Sequence, residues 1–135
     1  MKQYIIVIVD DDMDDREIIH DAFESAADIT HEYIFFENGD ELIEYLNNCL
    51  PQALPSLIML DLNMPGKDGR EALKEIKRSE TLKPIPTVVF TTSSSKRDRD
   101  TAYSLGANCF ITKPDTFNKL VELATSISKL WLPEA

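Results

Sequence analysis

The sequence predicts an α/β protein built on a doubly wound, five-stranded parallel sheet. Five short apolar runs alternate with five segments in which apolar residues recur at helical spacing. Strands that are separated by single helices pair in parallel through right-handed crossovers, which place helices on both faces of the sheet. Five units of this kind fit the flavodoxin-like strand order 2-1-3-4-5.

The strands are predicted from runs rich in β-branched and other apolar residues. In chain order they cover 4–9, 31–36, 56–60, 87–91 and 108–112. The first run lacks polar alternation, as expected of a strand covered on both faces, and it ends abruptly at Asp10. The third run leads to Asp61 and is then stopped by Pro65, Gly66 and Gly69. It therefore delivers a single carboxylate to a loop.

Each helical segment begins at a residue that can cap a helix by accepting hydrogen bonds from free backbone N–H groups. The predicted caps, in chain order, are Asp12, Asn38, Asp68, Ser95 and Thr116. In the first helix, Ile18, Ala22 and Ala26 are predicted to fall on one apolar stripe, with Ile19 and Phe23 beside it. The fourth helix, from about Ser95 to Leu105, has the thinnest apolar stripe, and we expect it to be the least firmly anchored.

Length and charge limit the classes of function. A chain of 135 residues without a shift in composition predicts one domain, 1–135, with no output domain. A net charge of −10 argues against binding to nucleic acid or to an anionic membrane, because both require basic patches. The short apolar run at the N-terminus is followed by three aspartates and resembles neither a signal peptide nor a membrane span, so a cytoplasmic protein is predicted.

The cysteines and histidines form no recognisable metal or disulfide pattern. Cys49 and Cys109 are far apart and are predicted to be buried, inert thiols. His20 and His31 are unaccompanied by other metal ligands, and they are predicted on a helix surface and at a strand edge. The sequence therefore contains no predicted zinc or iron site.

The predicted topology brings several polar residues to one edge of the sheet. Ligands of doubly wound sheets bind beyond the carboxyl ends of the strands, where strands one and three are neighbours. Asp10 and Asp11 follow strand one, and Asp61 follows strand three. Thr91 ends strand four, and Lys113 follows strand five. We therefore expect these five side chains to form one site.

The residue types at this edge predict a magnesium-dependent site for phosphoryl transfer. Three neighbouring carboxylates repel one another, and a divalent cation relieves that repulsion. Oxygen ligands in an open site suit Mg²⁺. Lys113 and Thr91 supply donors for the oxygens of a phosphoryl group, so Asp61 is predicted to be its acceptor.

Taken singly, these residues also have structural interpretations. An acidic run such as 10–15 is typical of a solvated helix start, Thr91 is an ordinary strand residue, and Lys113 is an ordinary surface charge. Their coincidence at four strand ends favours the site. The helix-start interpretation is kept for the remaining acids of the run, Asp12, Asp14 and Asp15.

Two other classes of function use a related sheet. An aspartyl-phosphate phosphohydrolase needs a second acid two residues after the nucleophile, and here that position is Asn63. Turnover of phosphate monoesters would favour it. A flavin or nucleotide module needs a glycine-rich or hydroxyl-rich phosphate loop after strand one, whereas 10–12 is three aspartates. Visible flavin absorbance would favour that class.

The motifs together resemble the receiver domain of two-component response regulators, over nearly the whole chain. They are Val9–Asp11, the apolar run into Asp61, Asn63–Gly66 with Asp68 and Gly69, Pro86–Thr91, and Lys113–Pro114. The resemblance implies that Asp61 takes a phosphoryl group from a phosphohistidine on a sensor kinase. It also implies that Asp11, Asp61 and the backbone carbonyl of Asn63 bind Mg²⁺ directly and that Asp10 acts through water.

The resemblance also implies a switch and its partners. Thr91 would move toward the phosphoryl oxygens, the Phe110 rotamer would follow it, and Lys113 would pair with the phosphate. The lifetime of the phosphorylated state would depend on Asn63 and Ser93. The implied partners are a sensor histidine kinase or phosphotransfer protein, a downstream protein target, and a second copy of the chain through the fourth helix, fifth strand and fifth helix.

Three further expectations accompany the resemblance. The Lys113–Pro114 peptide bond is expected to be cis, as is common in this family. The connection formed by residues 50–56 is longer than in the compact members of the receiver family. A contact with a specific partner protein is therefore one role that this connection could have. A receiver that binds partners without being phosphorylated is the remaining alternative, although every residue of the predicted site is present.

Overall fold

The computed structural model of the protein describes residues 3–27, 30–64 and 68–133. Pro65 and Gly66 of the predicted turn lie outside the described residues. In chain order the elements are β1 (Ile5–Val9), α1 (Met13–Ala26), β2 (Glu32–Phe36), α2 (Gly39–Asn48), a 3₁₀ turn (Pro51–Ala53), β3 (Leu57–Leu60), α3 (Gly69–Arg78), β4 (Thr87–Thr91), α4 (Lys96–Ser104), β5 (Cys109–Thr112) and α5 (Phe117–Trp131). All strand pairs are parallel, in the order β2-β1-β3-β4-β5, so the predicted fold class and topology are confirmed.

Alternate residues of the central strands feed two separate core layers. Ile6 and Ile8 of β1 face a layer that includes the buried sides of α1 and α5. Val7 and Val9 face the opposite layer, which is formed with α2, α3 and α4. These strands are therefore covered on both faces, which explains why their sequence shows no polar alternation. Each fully buried Val or Ile side chain stabilises the fold by about 1.5–3 kcal/mol.

The five predicted helix caps all accept hydrogen bonds from backbone N–H groups of the first turn. The expected stripe of α1 is wrong in one position, because Ile18 is 44% exposed. The buried residues of α1 are Ile19, Ala22 and Phe23. The residues expected beside the stripe, Ile19 and Phe23, are therefore its buried centre, and the large ring of Phe23 loses more apolar surface to the core than Ile18 could.

The isolated cysteines and one histidine also differ from expectation. Cys49 and Cys109 are free thiols that are half-buried rather than buried. His31 directly precedes the edge strand β2, as predicted, but it is buried, with 3% of its surface exposed. Its Nδ1 atom accepts a hydrogen bond from the backbone N–H of Tyr4, 3.0 Å away. That bond satisfies a polar atom that would otherwise be costly to bury.

The fourth helix is weakly anchored, as predicted, since Ala102 is the buried residue that α4 contributes. The chain then turns at Gly106, whose φ of 105° favours glycine. Beneath this turn, Lys77 Nζ donates to the carbonyl oxygens of Lys83 and Ile85, at 2.9 and 2.8 Å, and to Asn108 Oδ1 at 2.9 Å. One ammonium group thus joins the end of α3 to the starts of β4 and β5.

None of the helices in the described part of the chain combines the length and the apolar character needed to span a membrane.

Candidate functional site

The strand ends bring the predicted site residues together. The Asp61 N–H donates to the carbonyl oxygen of Val9 at 3.0 Å, so β3 delivers Asp61 beside the end of β1. On the other side of the sheet centre, the Lys113 N–H donates to the carbonyl oxygen of Thr91 at 2.7 Å. These backbone bonds continue the parallel pairing of β1 with β3 and of β4 with β5. The site is therefore fixed by sheet topology.

Three carboxylates form the acidic part of the site. One oxygen from each of Asp10, Asp11 and Asp61 lies within 4.8 Å of the other two. Asp10 and Asp61 are only 1% and 7% exposed, whereas Asp11 is open to solvent. An oxygen-only donor set that is partly open suits Mg²⁺, which keeps several water ligands, so these residues fit the predicted ion.

Lys113 is the positive group of the site. Its Nζ atom lies 2.7 Å from Asp10 Oδ2, 2.9 Å from Asp15 Oδ2 and 3.8 Å from Asp61 Oδ2. Burial lowers the pKa of Lys113, but hydrogen bonds to Asp10 and Asp15 and the nearby carboxylate charges outweigh burial and raise that pKa to about 12. Lys113 is therefore a permanent cation that is held against the carboxylates.

Burial has the opposite effect on the two inner acids. Burial raises the pKa of Asp61, while the charge of Lys113 partly opposes that rise and the charge of Asp10 adds to it. The pKa of Asp10 is also raised by burial, against the hydrogen bond from Lys113. The ionised forms of both carboxyl groups are thus destabilised in the folded protein, and a bound cation would stabilise them.

Asp15 belongs to this site although the sequence interpretation assigned it to the start of α1. Asp12 alone accepts the cap hydrogen bonds, from the N–H groups of Asp14 and Asp15. The Asp15 side chain instead turns back toward Lys113. The sequence indicated only that Asp15 lies in the first turn of the helix that begins next to the site. A local pattern does not reveal a partner so distant in the chain.

The two predicted switch residues lie on the same side of the site. Thr91 is fully buried, and a hydrogen bond from its side chain helps to lower the pKa of Asp61 against the effect of burial. Phe110 is 9% exposed, and the guanidinium carbon of Arg99 in α4 lies 5.8 Å from its ring centroid. The aromatic ring thus lies beneath α4, next to the strand that carries Thr91.

Asn63 lies beside the predicted acceptor, and its backbone N–H donates to Asp61 Oδ1 at 3.4 Å. The expectation of a cis Lys113–Pro114 bond is wrong, since the described residues contain no cis peptide. The trans isomer is the lower-energy form of an X–Pro bond. With this isomer Lys113 reaches Asp10 directly.

A sequence model of the response regulator receiver domain matches residues 6–125 of the chain. The chain belongs to this family. The receiver domain is 36% identical over 131 residues to response regulator Rcp1 from Synechocystis sp., and that alignment covers 95% of the chain and 88% of Rcp1. The match places the chain in two-component signalling.

Two solved structures resemble the receiver domain closely. The phosphorylated cyanobacterial phytochrome response regulator RcpA has a TM-score of 0.87 and 38% identity, over 99% of this chain and 97% of RcpA. The Mn²⁺-bound form of Rcp1 has a TM-score of 0.84 and 35% identity, over 98% of this chain and 96% of Rcp1. The resemblance to response regulator receivers that the motifs indicated is therefore confirmed.

Proposed function

We propose that this receiver domain accepts a phosphoryl group on Asp61 from a phosphohistidine of a sensor histidine kinase or a phosphotransfer protein, in a reaction that requires Mg²⁺. The observation that carries the proposal is the position of Asp61. This buried carboxylate belongs to the acidic group of Asp10, Asp11 and Asp61, and one of its oxygens lies 3.8 Å from the ammonium of Lys113. The relative RcpA was solved in a phosphorylated form, and Rcp1 with Mn²⁺ bound, which supports the same chemistry here.

Each residue of the site would have a distinct part in the transfer. An oxygen of Asp61 attacks phosphorus, the bond from phosphorus to the histidine nitrogen breaks, and the imidazole leaves with the electron pair. Lys113 pairs with the transferred group, and the Thr91 hydroxyl donates to it. Asp10, Asp11, Asp61 and the Asn63 carbonyl are the proposed ligands of Mg²⁺. A bound Mg²⁺ would neutralise charge on the carboxylates and on the phosphoryl oxygens.

The output of the proposed reaction is a change of protein surface. Thr91 and Phe110 link the site to α4, the helix with one buried residue. Phosphorylation would therefore shift an existing equilibrium of α4 and β5, and a downstream protein or a second copy of the chain would bind the altered face of α4, β5 and α5. A chain with a charge of −10 is a poor candidate for direct binding to nucleic acid or membrane.

The remaining parts of the proposal concern the whole chain. It acts as a single domain over 1–135, in the cytoplasm, and as a signalling phosphoacceptor rather than as an enzyme with an external product. Asn63 supports the last point, because a phosphohydrolase would need an acid at that position. Its side chain can orient water but cannot protonate a leaving group.

The test is phosphorylation by a small phosphodonor, such as acetyl phosphate, in the presence of Mg²⁺. Wild type is expected to gain one acid-stable, base-labile phosphoryl group, as measured by intact mass. Asp61→Asn is expected to gain none, and EDTA is expected to abolish the gain in wild type. Asp21→Asn, which removes an exposed acid from the middle of α1, is the matched control and should behave like wild type. Equal labelling of Asp61→Asn would refute the proposal.

A further inference from the structure

Two loops border the carboxylate of Asp61, and each presents a polar side chain two residues beyond a site residue. On one side the N–H of Asn63 donates to Asp61 Oδ1 at 3.4 Å. On the other side the N–H of Ser93 donates to Thr91 Oγ1 at 3.3 Å. These two hydrogen bonds fix the backbone of Asn63 and Ser93 relative to Asp61 and Thr91.

Arg70, in the first turn of α3, connects the two loops. Its Nη1 atom lies 3.4 Å from Asn63 Oδ1, and its Nη2 atom donates to Asp98 Oδ1 in α4 at 3.1 Å. The other oxygen of Asp98 accepts the hydroxyl of Ser93 at 2.6 Å. A continuous series of contacts therefore runs from Asn63 through Arg70 and Asp98 to Ser93, around Asp61 rather than through it.

The side chains in this series of contacts are partly buried and paired, so we expect them to be ordered. The side chains of Arg70 and Asp98 are 31% and 24% exposed, so neither is a freely solvated surface charge. The hydrogen bond from Ser93, followed by that from Arg70, lowers the pKa of Asp98, which keeps this carboxylate ionised and paired. The guanidinium fork makes two separate contacts at once, which a lysine ammonium could not reproduce in the same geometry. Arg70 also lies 4.0 Å from Asp68, the cap of α3.

We infer that Arg70 is a positioning residue. Its contacts with Asn63 and Asp98 hold the two loops beside Asp61 in fixed relative positions, and this prolongs the lifetime of the phosphorylated state. The inference rests on the proposed function, and it adds a control of lifetime by residues outside the phosphoryl site. None of Arg70, Asp98 and Ser93 ligates the cation or contacts the acceptor in the proposed reaction.

The step that Arg70 slows is hydrolysis of the aspartyl phosphate. A water oxygen attacks phosphorus, the bond from phosphorus to the Asp61 oxygen breaks, and the products are inorganic phosphate and the free carboxylate. The attacking water must approach between the loops that carry Asn63 and Ser93. Arg70 holds the Asn63 side chain directly, and it holds the Ser93 side chain through Asp98, so that both side chains narrow that approach. Removal of Arg70 frees the Asn63 side chain and unlinks the bonded pair of Ser93 and Asp98 from α3, which admits water more readily.

The experiment measures loss of the phosphoryl group after the donor is removed, with Mg²⁺ present throughout. Arg70→Ala and Asp98→Ala are each expected to lose it about two- to fivefold faster than wild type, the range that a partly exposed ion pair can support. The double variant should be no faster than the faster single variant, because both changes break one connected series. Lys96→Ala breaks an exposed pair with Asp100, 2.7 Å apart within α4, and should leave the rate unchanged.

The outcomes separate this inference from the proposed function. If wild type gains no phosphoryl group, the proposed function fails and the inference fails with it. If wild type is phosphorylated but Arg70→Ala loses the group at the wild-type rate or more slowly, the inference alone is overturned. Rate increases that multiply in the double variant would also overturn it, since they would mean independent effects. Thermal unfolding midpoints of all variants check for loss of structure. If Lys96→Ala has a lowered midpoint and also loses the phosphoryl group faster than wild type, the effect of Arg70 would be one of general stability, and the inference would be overturned.

Discussion

Lys113 and Asp15, which are 98 residues apart in the chain, are joined by a hydrogen bond of 2.9 Å at the edge of the acidic site. The same ammonium lies 3.8 Å from Asp61, so the helix residue holds it more closely than the proposed acceptor does. Asp15 would thus compete with a phosphoryl group on Asp61 for Lys113, whose ammonium is near both residues. This competition provides a direct test of how Lys113 is used.

Asp15→Asn is expected to speed phosphorylation of Asp61 by an anionic small phosphodonor by about two- to fivefold. The change removes a competitor for Lys113 and a charge that repels the donor. Phosphorylation rates at low and high ionic strength would be compared, and the gain should shrink in high salt. Asp14→Asn makes the same charge change at an exposed position of the same helical turn and separates the general charge effect from the specific contact. An equal gain in Asp14→Asn would show that the contact with Lys113 is unimportant.

Mg²⁺ is expected to stabilise the fold, because it binds the carboxylate group only when Asp10, Asp11 and Asp61 are brought together. At ten times its dissociation constant, the ion should raise the free energy of unfolding by about 1.4 kcal/mol. Urea unfolding with and without Mg²⁺ measures this difference. Asp11→Asn should abolish most of the gain, whereas Glu17→Gln, an exposed acid farther along α1, should retain it. A gain that persists in Asp11→Asn would place the bound ion elsewhere.

His31 is expected to make the fold weaker in acid. Burial lowers the pKa of His31, with a smaller opposing effect from the charge of Glu24, and its Nδ1 can accept from the Tyr4 N–H only when unprotonated. A lowered pKa in the folded state means that the stabilisation is complete above the unfolded pKa of about 6.5 and is lost as pH falls through the folded value. The loss cannot exceed about 1.4 kcal/mol per pH unit for one proton.

The measurement for His31 is the free energy of unfolding at pH 7.5 and at pH 5.5 in wild type and in His31→Asn, whose amide oxygen can accept the same bond. Asp10 and Asp61 have raised pKa values and therefore contribute the opposite trend, because protonation relieves their buried charge as pH falls. Both proteins share that trend. The difference between their pH dependences isolates His31, and identical dependences would contradict the prediction.

Gly69 is expected to be intolerant of any side chain. A Cβ atom there would lie 2.0 Å from the carbonyl oxygen of Asp61 and 2.6 Å from Cα of Leu62, and both are backbone atoms that cannot move cheaply. Gly69→Ala should lower the free energy of unfolding by about 1–3 kcal/mol or more and should slow phosphorylation, because α3 must shift away from the acceptor. Denaturant unfolding and phosphorylation rates measure the two effects.

Gly106→Ala is the natural comparison for Gly69→Ala. Its φ of 105° strains any other residue, and a Cβ atom would lie 2.8 Å from Cγ of Lys77. It should also destabilise the fold, but it lies at the opposite end of β5 from Lys113 and should leave the phosphorylation rate of the folded protein close to that of wild type. Equal slowing in both variants would mean that Gly69 acts only through general stability.

The sequence predicted the features that depend on local pattern and on topology. The five caps are local, and the meeting of Asp10, Asp61, Thr91 and Lys113 follows from parallel strand order alone. Side chains that reach between helices were not predictable in this way. Whether Asp15 faces solvent or Lys113 depends on how α1 is rotated on the sheet, and the exposure of Ile18 shows that this rotation differed from the expected one.

The network of Arg70 and Asp98 was missed for a related reason. Each residue is an ordinary charge in the first turn of a helix, and a separation of 28 positions in the chain hides the fact that a side chain of α3 reaches α4. The burial of His31 was not predicted, because its hydrogen-bond partner is a backbone N–H, which has no signature in the sequence. Fold and acceptor site are thus encoded by strand order, whereas the contacts that surround them are encoded by helix orientation.

The three hydrogen bonds of the Lys77 ammonium affect how α4 can move during signalling. Through these bonds Lys77 holds together the segments that lead into β4 and β5, at the end of the sheet opposite the site. This end lies next to the turn at Gly106, where the chain passes from α4 to β5. The other end of α4 follows the loop of Ser93, whose N–H donates to Thr91 at the site and whose hydroxyl donates to Asp98 of α4. Because Asn108, which follows α4 after the turn, is held by both Lys77 and the Thr87 N–H, we expect phosphorylation to displace the N-terminal half of α4 more than its C-terminal end.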